Sequence, residues 1–324
     1  MCSLLIAFAL LLGVVPTASA ATAPTPGGNG LRVSPVRTDL IISPGETKVV
    51  TINVTNVTSA PGTFQTVVND FVADPNESGN PAIIFNSTEF APTHSLKRYV
   101  GPVTRFTLAP GQQQGIPITI KVPANAAGGG YYGAIRFAPA GASLSRKQQV
   151  NLAGSVGSLI LVKVPGNITN KLAIASFDAR TRDRASSFFT SSKNIDATVR
   201  FQNQGNIQEQ PFGKVLLRDR SGKILNSFEI NATNPPGNVL PDSIRKFSIP
   251  VNKVGKFGKF KLEGNFGYGT SGQLLSGSTT FYVIPSWMIL TFVGVVLFLV
   301  FLIFGVPRLV RAYNQRVLRR AGRR

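Results

Sequence analysis

From Ile284 to Pro307 the chain carries no charged residue, and this run limits the rest of the molecule more than any other feature. At about 1.5 Å per residue, roughly 20 helical residues cross the ~30 Å hydrocarbon core of a bilayer, so Ser286 to Val306 is long enough to span one. A buried helix of a soluble protein is rarely so long, and rarely ends in such a tail. Arg308, Arg311, Arg316, Arg319, Arg320, Arg323 and Arg324 follow with no acid among them, whereas Gly264 to Pro285 has no lysine or arginine. A basic excess marks the cytoplasmic side of a span. The pattern therefore predicts a transmembrane helix over 285–306, a basic cytoplasmic tail over 307–324 and the bulk of the chain outside the cell membrane. Trp287 fits an interfacial anchor at the outer edge; Arg308, Arg311 and Arg316 set the inner one.

The opening, MCSLLIAFALLLGVVPTASA, has an apolar run from Leu4 to Val15 and a small-residue triplet Ala18-Ser19-Ala20. That is the pattern of a secretory signal peptide over 1–20. It lacks the basic residue that usually precedes the run, which leaves room for a start upstream. Cys2 lies ahead of the run, so it is badly placed to be lipidated at a cleavage site. It is also the chain's single cysteine, so the exported part is predicted to hold together without disulfides. A small-residue linker, 21–30, comes next. The span between the two apolar segments has room for two domains of ordinary size.

Those domains read as all-β. In KVVTINVTN, Val50, Ile52 and Val54 alternate with Thr51, Asn53 and Thr55, the period of a half-buried strand. Similar runs recur as LRVSPV, TDLIISPGE, GTFQTVVNDFVA, VTRFTLAPGQ, GIPITIKVP, YYGAIRFAP and GSLILVKVPG, with turns at Pro44-Gly45, Pro61-Gly62 and Pro110-Gly111. No apolar period of 3.6 persists over three turns. Short strands at this spacing predict an immunoglobulin-like β-sandwich over 31–165. Residues 166–284 repeat the style, with LRDRSGKIL as a hairpin turning at Ser221-Gly222, and predict a second sandwich. VRFQNQGN echoes INVTNVTS as a strand followed by an asparagine-rich turn. VPGNITN, 164–170, is a junction short enough for nearly rigid stacking.

Gly128, Gly130 and Gly133 have the G-x-G-x-x-G spacing of a dinucleotide loop. Such a loop needs a helix after the glycines to supply amides to pyrophosphate, and YYGAIRFAPAG leaves them as a strand. These glycines therefore read as a strand connection; no Gly-Lys-Ser/Thr follows to make a P-loop, and no cofactor is expected. Tyr131, Gly133, Ile135 and Phe137 would share one face of that strand, with Tyr132, Ala134 and Arg136 on the other.

Catalytic chemistry is hard to assemble from this inventory. His94 is the lone histidine, set in a polar loop without a nucleophile motif, and one histidine with one cysteine cannot build a metal cluster. Asp70, Asp74, Glu77 and Glu89 could pair for glycoside hydrolysis, which needs carboxyls about 5 to 9.5 Å apart, but they read as charge on solvated loops. DFVADPNESGN offers oxygens to calcium without the twelve-residue loop pattern. The chain is read as a non-enzyme.

The formal charge of +20 invites a nucleic-acid reading, but about a third of it lies in the tail. A moderately basic exported surface suits wall polymers, lipid headgroups or acidic proteins, and nucleic acid is not expected. Tyr131 and Tyr132 beside the glycines could stack on sugar, with Arg136 on the same strand. Phe188-Phe189 could be a contact pair; the plainer reading puts one ring of each pair in a core and the other over an edge. Lys259 and Lys261 face away from Phe260 and make a candidate contact for an anionic polymer.

The segments VSPVRTDLIISPGETKVVTINVTNVT, SLKRYVGPVTRFTLAPGQQQGIPITIKVPANAAGGGYYGAIRF and VGSLILVKVPG resemble the N-terminal domain of WxL-interacting proteins, surface proteins of Gram-positive bacteria. The resemblance covers 31–165 and is weak over 166–284. It implies peptidoglycan binding by the first domain and bridging to WxL proteins or host ligands by the second. The resulting expectation is a bacterial membrane-anchored cell-surface binding or scaffold protein. The alternative is an accessory subunit of a membrane complex, working through its helix and arginine tail.

Overall fold

The computed structural model describes residues 30–86, 88–140 and 155–321. The expected leader (1–20), the linker up to residue 29, Arg323, Arg324 and the side chain of Arg316 lie outside the described residues.

Nine strands build the first domain: β1 (Leu31–Ser34), β2 (Arg37–Ile41), β3 (Thr47–Asn56), β4 (Gly62–Ala73), β5 (Pro81–Ile83), β6 (Arg105–Leu108), β7 (Gln113–Lys121), β8 (Gly129–Pro139) and β9 (Val156–Val164). The run LRVSPV is divided at Pro35, which has no N–H to continue a ladder. Before it, β1 pairs antiparallel with β3; after it, β2, which starts at Arg37 just beyond the run, crosses to run parallel to β9. One sheet is therefore β1-β3-β7 and the other β2-β9-β8-β4-β5, with β6 on β4. Alternation decides what lies between them. Ile52 and Val54 of β3 and Ile116, Ile118 and Ile120 of β7 point inward and meet Ile135 and Phe137 of β8 and Ile160 and Val162 of β9. Each such side chain, fully buried, contributes about 1.5–3 kcal/mol.

The second domain comprises β10 (Leu172–Thr181), β11 (Arg184–Ala185), β12 (Phe188–Phe189), β13 (Asp196–Asn203), β14 (Phe212–Arg218), β15 (Ile224–Ile230), β16 (Ser243–Pro250), β17 (Gly258–Tyr268) and β18 (Gln273–Val283). Its sheets are β11-β10-β13-β16 and β12-β18-β17-β14-β15. Phe201 is the hinge of the core, edge-on to Phe266 at 5.1 Å and to Phe247 at 5.9 Å. The fold is thus two immunoglobulin-like β-sandwiches, as alternation predicted. The dipeptide strands β11 and β12 are too short to show a period.

The two asparagine-rich turns are one device used twice. Asn56 ends β3 and Asn203 ends β13, and both are fully buried. Asn56 Nδ2 donates to the carbonyls of Ala60 (2.8 Å) and Leu108 (3.3 Å), while its Oδ1 accepts from the Thr58 N–H (3.0 Å). Asn203 Nδ2 donates to Ile207 (2.6 Å) and Val239 (2.9 Å), and its Oδ1 accepts from the Gly205 N–H (2.9 Å). Each side chain closes its own turn and ties it to a neighbouring segment, satisfying backbone groups that burial would otherwise strand.

After β18 only Ile284 and Pro285 intervene before α1 (Ser286–Val300). Ser286–Arg311 is the one described helix long and apolar enough to cross a membrane. Its register widens at Phe301–Gly305, where the Val306 N–H reaches back to the Phe301 carbonyl. Pro307 follows, and a proline that can neither donate nor fit against the preceding turn accounts for a local π-turn there. The helix then continues as α2 (Val306–Ala321), so the described part of the arginine tail is helical.

Replacing Asn203 by alanine takes the side-chain partner from the Ile207 carbonyl and the Gly205 N–H and leaves the Val239 carbonyl only the Glu209 N–H, and should cost about 2–4 kcal/mol. The Asp variant, which keeps the acceptor and loses the donor, should stay destabilised. Denaturant midpoints at constant m-value check both.

Candidate binding site at strand β8

Strand β8 is buried on both faces. Tyr131, Ile135 and Phe137 pack on the first-domain core, while Tyr132 and Ala134 join Phe71 and Leu161 in a second cluster that Leu240 of the other domain completes. The two faces divide as alternation predicted. The second face, however, looks into the junction between the domains, and not at solvent.

Tyr132 is the hub of that junction. It is 2% exposed, and its hydroxyl donates to Gln208 Oε1 at 2.9 Å across the domain boundary. Burial holds that hydroxyl above the ordinary tyrosine value, so it remains a neutral donor. Its N–H donates to the His94 carbonyl (2.9 Å), and His94 Nδ1 lies 2.6 Å from the Gly130 carbonyl. A carbonyl only accepts, so Nδ1 carries the proton. Next to it the second-domain asparagine turn docks: the Gly130 N–H donates to the Asn206 carbonyl (2.8 Å), and Asn206 Nδ2 bonds the carbonyls of Gly128 (3.0 Å) and Asn167 (2.8 Å). A Cβ on Gly128 would sit 2.8 Å from the backbone of Gly166, so the glycines serve close approach of two chain segments and not a phosphate.

The acidic segment has an equally structural role. Asp70 is no surface charge: it lies fully buried in β4, where alternation along GTFQTVVNDFVA turns it inward. It accepts from the N–H groups of Ala91 and Lys97 (2.9 Å each) and from Ser95 Oγ (2.5 Å). Asp74 caps its own loop through Asn76 and Ser78, which lowers its pKa. Glu77 grips Arg200 of the second domain with two hydrogen bonds, one of 2.6 Å, and its carbonyl accepts from the Lys246 N–H (2.9 Å). The Arg200 guanidinium holds the Glu77 carboxyl below its ordinary value. Glu89 alone of the four is exposed. Among the described residues no three His, Cys, Asp or Glu side chains cluster as a metal site.

Between the domains lies a cleft of about 240 Å³ walled by Arg37, Phe71, Leu161, Pro236, Leu240 and Arg245. Arg37 is spent on Asp39 (2.8 and 3.0 Å) and the Pro236 carbonyl (3.2 Å). The Arg245 guanidinium lies between Gly79 and Gly237; a Cβ built on either would come within 2.6 Å of it. Gly79 also has φ +82°, so alanine there is strained twice over. Burial, then the charge of Arg37, lowers the Arg245 pKa.

Tyr131 behaves differently from its neighbour. Half-buried, it packs against Tyr99 at 4.9 Å between ring centres and meets His94 edge-on, and its hydroxyl donates to the Ala127 carbonyl (2.9 Å). In the loop that supplies Tyr99, Lys97 and Arg98 lie 4.6 and 4.4 Å from the centre of the Phe90 ring. Tyr131 and Tyr99 form a ledge of partly exposed rings, and the cation-bearing Phe90 belongs to the adjoining loop. Tyr99, Phe90 and Arg98 were not singled out in sequence, because only folding brings Tyr99 to Tyr131 and Arg98 to Phe90. Arg136, 4% exposed, is removed from any surface contact: Nε donates to Asn69 Oδ1 (2.9 Å), Nη1 to Ser155 Oγ (3.1 Å), and the guanidinium covers Phe85. Tyr132 is removed likewise by the junction. Lys261 pairs with Glu263 (2.7 Å), which Arg218 shares, while Lys259 is exposed opposite buried Phe260. Of the anchor residues, Trp287 is exposed on the first turn of α1, Arg308 reaches the Phe304 carbonyl (3.4 Å), and Arg311 is exposed.

No protein family and no curated protein matches the chain by sequence. Among solved structures, it is similar to a chain of the chaperone–tip adhesin complex of CFA/I fimbriae biogenesis. There 79% of this chain covers all of the other at 13% identity and a TM-score of 0.38. The class 5 fimbriae chaperone CfaA is similar over the same shares at 12% identity and TM-score 0.38, and the E. coli chaperone DraB over 78% of this chain and 97% of its own at 16% and 0.32. A likeness this loose assigns neither function nor partner.

Glu209 supplies a test of the junction. It is buried, one carboxylate oxygen has no hydrogen-bond partner, and burial pushes its pKa up to about 6, against the Gly269 amide and the charge of Lys163. A glutamate raised above its ordinary 4.5 stabilises the fold fully below that value and loses the contribution as pH rises through about 6. Glu77 acts in the opposite sense, losing its contribution as pH falls below 4.5. Melting temperature should therefore fall between pH 4.5 and 6, by the equivalent of about 2 kcal/mol, and Glu209→Gln should abolish that limb only. Separately, Gly79→Ala should raise hydrogen exchange at Tyr132 and Lys246 while leaving the core amides of β14 and β17 protected.

Proposed function

We propose that the protein is a non-enzymatic, single-pass cell-surface binding protein, its two sandwiches outside the membrane and its arginine tail in the cytoplasm. Its first domain contacts peptidoglycan or another wall polymer, and the pair bridges to surface proteins of the WxL type. The observation that carries this reading is the ledge of Tyr131 and Tyr99, with Phe90 carrying Lys97 and Arg98 in the adjoining loop. Ring faces receive the apolar faces of sugars, and adjacent cations receive carboxylates of wall peptides. Support also comes from the locked junction, which holds the ledge steady relative to the second domain at little ordering cost on binding. The WxL resemblance over 31–165 points the same way.

The test is co-sedimentation of the detergent-solubilised full chain with purified sacculi across a salt series. Tyr131→Ala and Arg98→Ala should each weaken saturable binding roughly tenfold, at 1 to 1.5 kcal/mol per contact. Arg98→Ala should also flatten the salt dependence. Binding that both variants retain unchanged would remove the ledge from the reading, and release of product from the wall at a catalytic rate would end the non-enzymatic one.

A further inference from the structure

The second domain ends in a face that wall binding does not explain. Strand register fixes what lies there. Val283, the last residue of β18, is opposite Gly258, and Tyr282 is opposite Lys259 on one side and Phe188 on the other. Three residues after Val283 the apolar helix has begun. Phe188, Lys259 and the loop 251–257 are therefore level with the start of the helix.

The exposed side chains at that level are of two kinds. Phe188 is 65% exposed and stacked on Tyr282 with ring centres 5.3 Å apart, and Phe257 is 60% exposed. Around them Arg220, Lys253, Lys256 and Lys259 are exposed as well. An open groove of about 790 Å³ runs between the β14–β15 turn, Phe257 to Lys259, and Tyr282 to Ile284. Its one acid, Asp219, spends an oxygen on its own turn, accepting from Ser221 N (2.9 Å), Ser221 Oγ (2.6 Å) and Lys223 N (3.0 Å). The cations of the groove are left for an outside anion. Exposed phenylalanines ringed by lysine and arginine are what a protein offers to the headgroup and acyl boundary of an anionic bilayer. Trp287, exposed on the first helical turn, belongs to the same interfacial layer.

We infer that the base of the second domain docks on the outer surface of the membrane its own helix crosses, with Phe188 and Phe257 in the interface. Arg220 and Lys259 hold the phosphate of an anionic phospholipid in the groove, and exposed Lys256, next to Phe257 in the chain, adds to the basic surface. The inference rests on the reading of Ser286–Arg311 as a span and adds a lipid preference to it. Lys259, a candidate for wall contact by sequence, is assigned to lipid.

Spin labels test it in the full chain carrying Cys2→Ser, reconstituted into vesicles of phosphatidylcholine alone or mixed with phosphatidylglycerol. Labels are placed singly at Phe257→Cys, at Ser221→Cys, which leaves both rings intact, and at Leu290→Cys in the helix. Collision with a water-soluble nickel chelate is compared with collision with oxygen. Nickel accessibility at 257 and 221 should fall severalfold when phosphatidylglycerol is present. With the label at 221, Lys256→Glu with Lys259→Glu should restore it. Labels at 257 and 221 that stay equally open to nickel in both vesicles, with 290 shielded, would overturn the docking and leave the span standing. A label at 290 open to nickel would overturn both. Shielding produced by added wall fragments but not by phosphatidylglycerol would assign the groove to wall polymer and overturn the lipid assignment.

Discussion

A strand buried on both faces must have two partners, and β8 sets that requirement for the whole molecule. Its inner face is served by the first-domain core, as in any sandwich. Its outer face carries Tyr132 and Ala134, and leaving them in water would forfeit roughly 25 cal/mol for each Å² of apolar surface. The 84–100 loop covers part of this face and the second domain covers the rest. The domain pair is therefore a packed body in which one domain completes a core of the other. Gln208 and the Asn206 turn make the cover specific, because they meet the polar atoms that a purely apolar lid would strand.

The scarcity of acid in this basic chain takes on meaning at the same place. With 14 acids against 34 lysines and arginines, each acid buried in structure leaves cations outside unmatched. Asp70 organises a loop, Asp74 a turn, Glu77 the domain boundary, and Glu263 a surface pair of cations. The local excess at the base of the second domain belongs to the remainder. The base of the second domain is thus where aromatic rings coincide with cations that the fold has not neutralised.

Strand positions were legible because alternation is a local property: β3, β7 and both faces of β8 follow from neighbours two residues apart. The Phe188-Phe189 pair also divides as alternation requires, one ring in the core and one out. The junction was not legible. Glu77 and Arg200 are 123 residues apart and Tyr132 and Gln208 are 76, and no short-range pattern announces such partners. Read locally, DPNESGN looks like a solvated loop, whereas Glu77 is held by the other domain and Asp74 by its own turn. The lone histidine was likewise silent, since its role depends on the Gly130 carbonyl of a distant strand.

The two-residue passage from β18 into the helix has a mechanical consequence. A load applied through the helix enters the second domain along β18, which pairs with β17 from Gly258 to Tyr268 in an antiparallel ladder. Those hydrogen bonds lie across the strand axis. Tension therefore shears many of them together and does not peel them one by one. The last strand is placed to serve as a tether as well as a wall of the core.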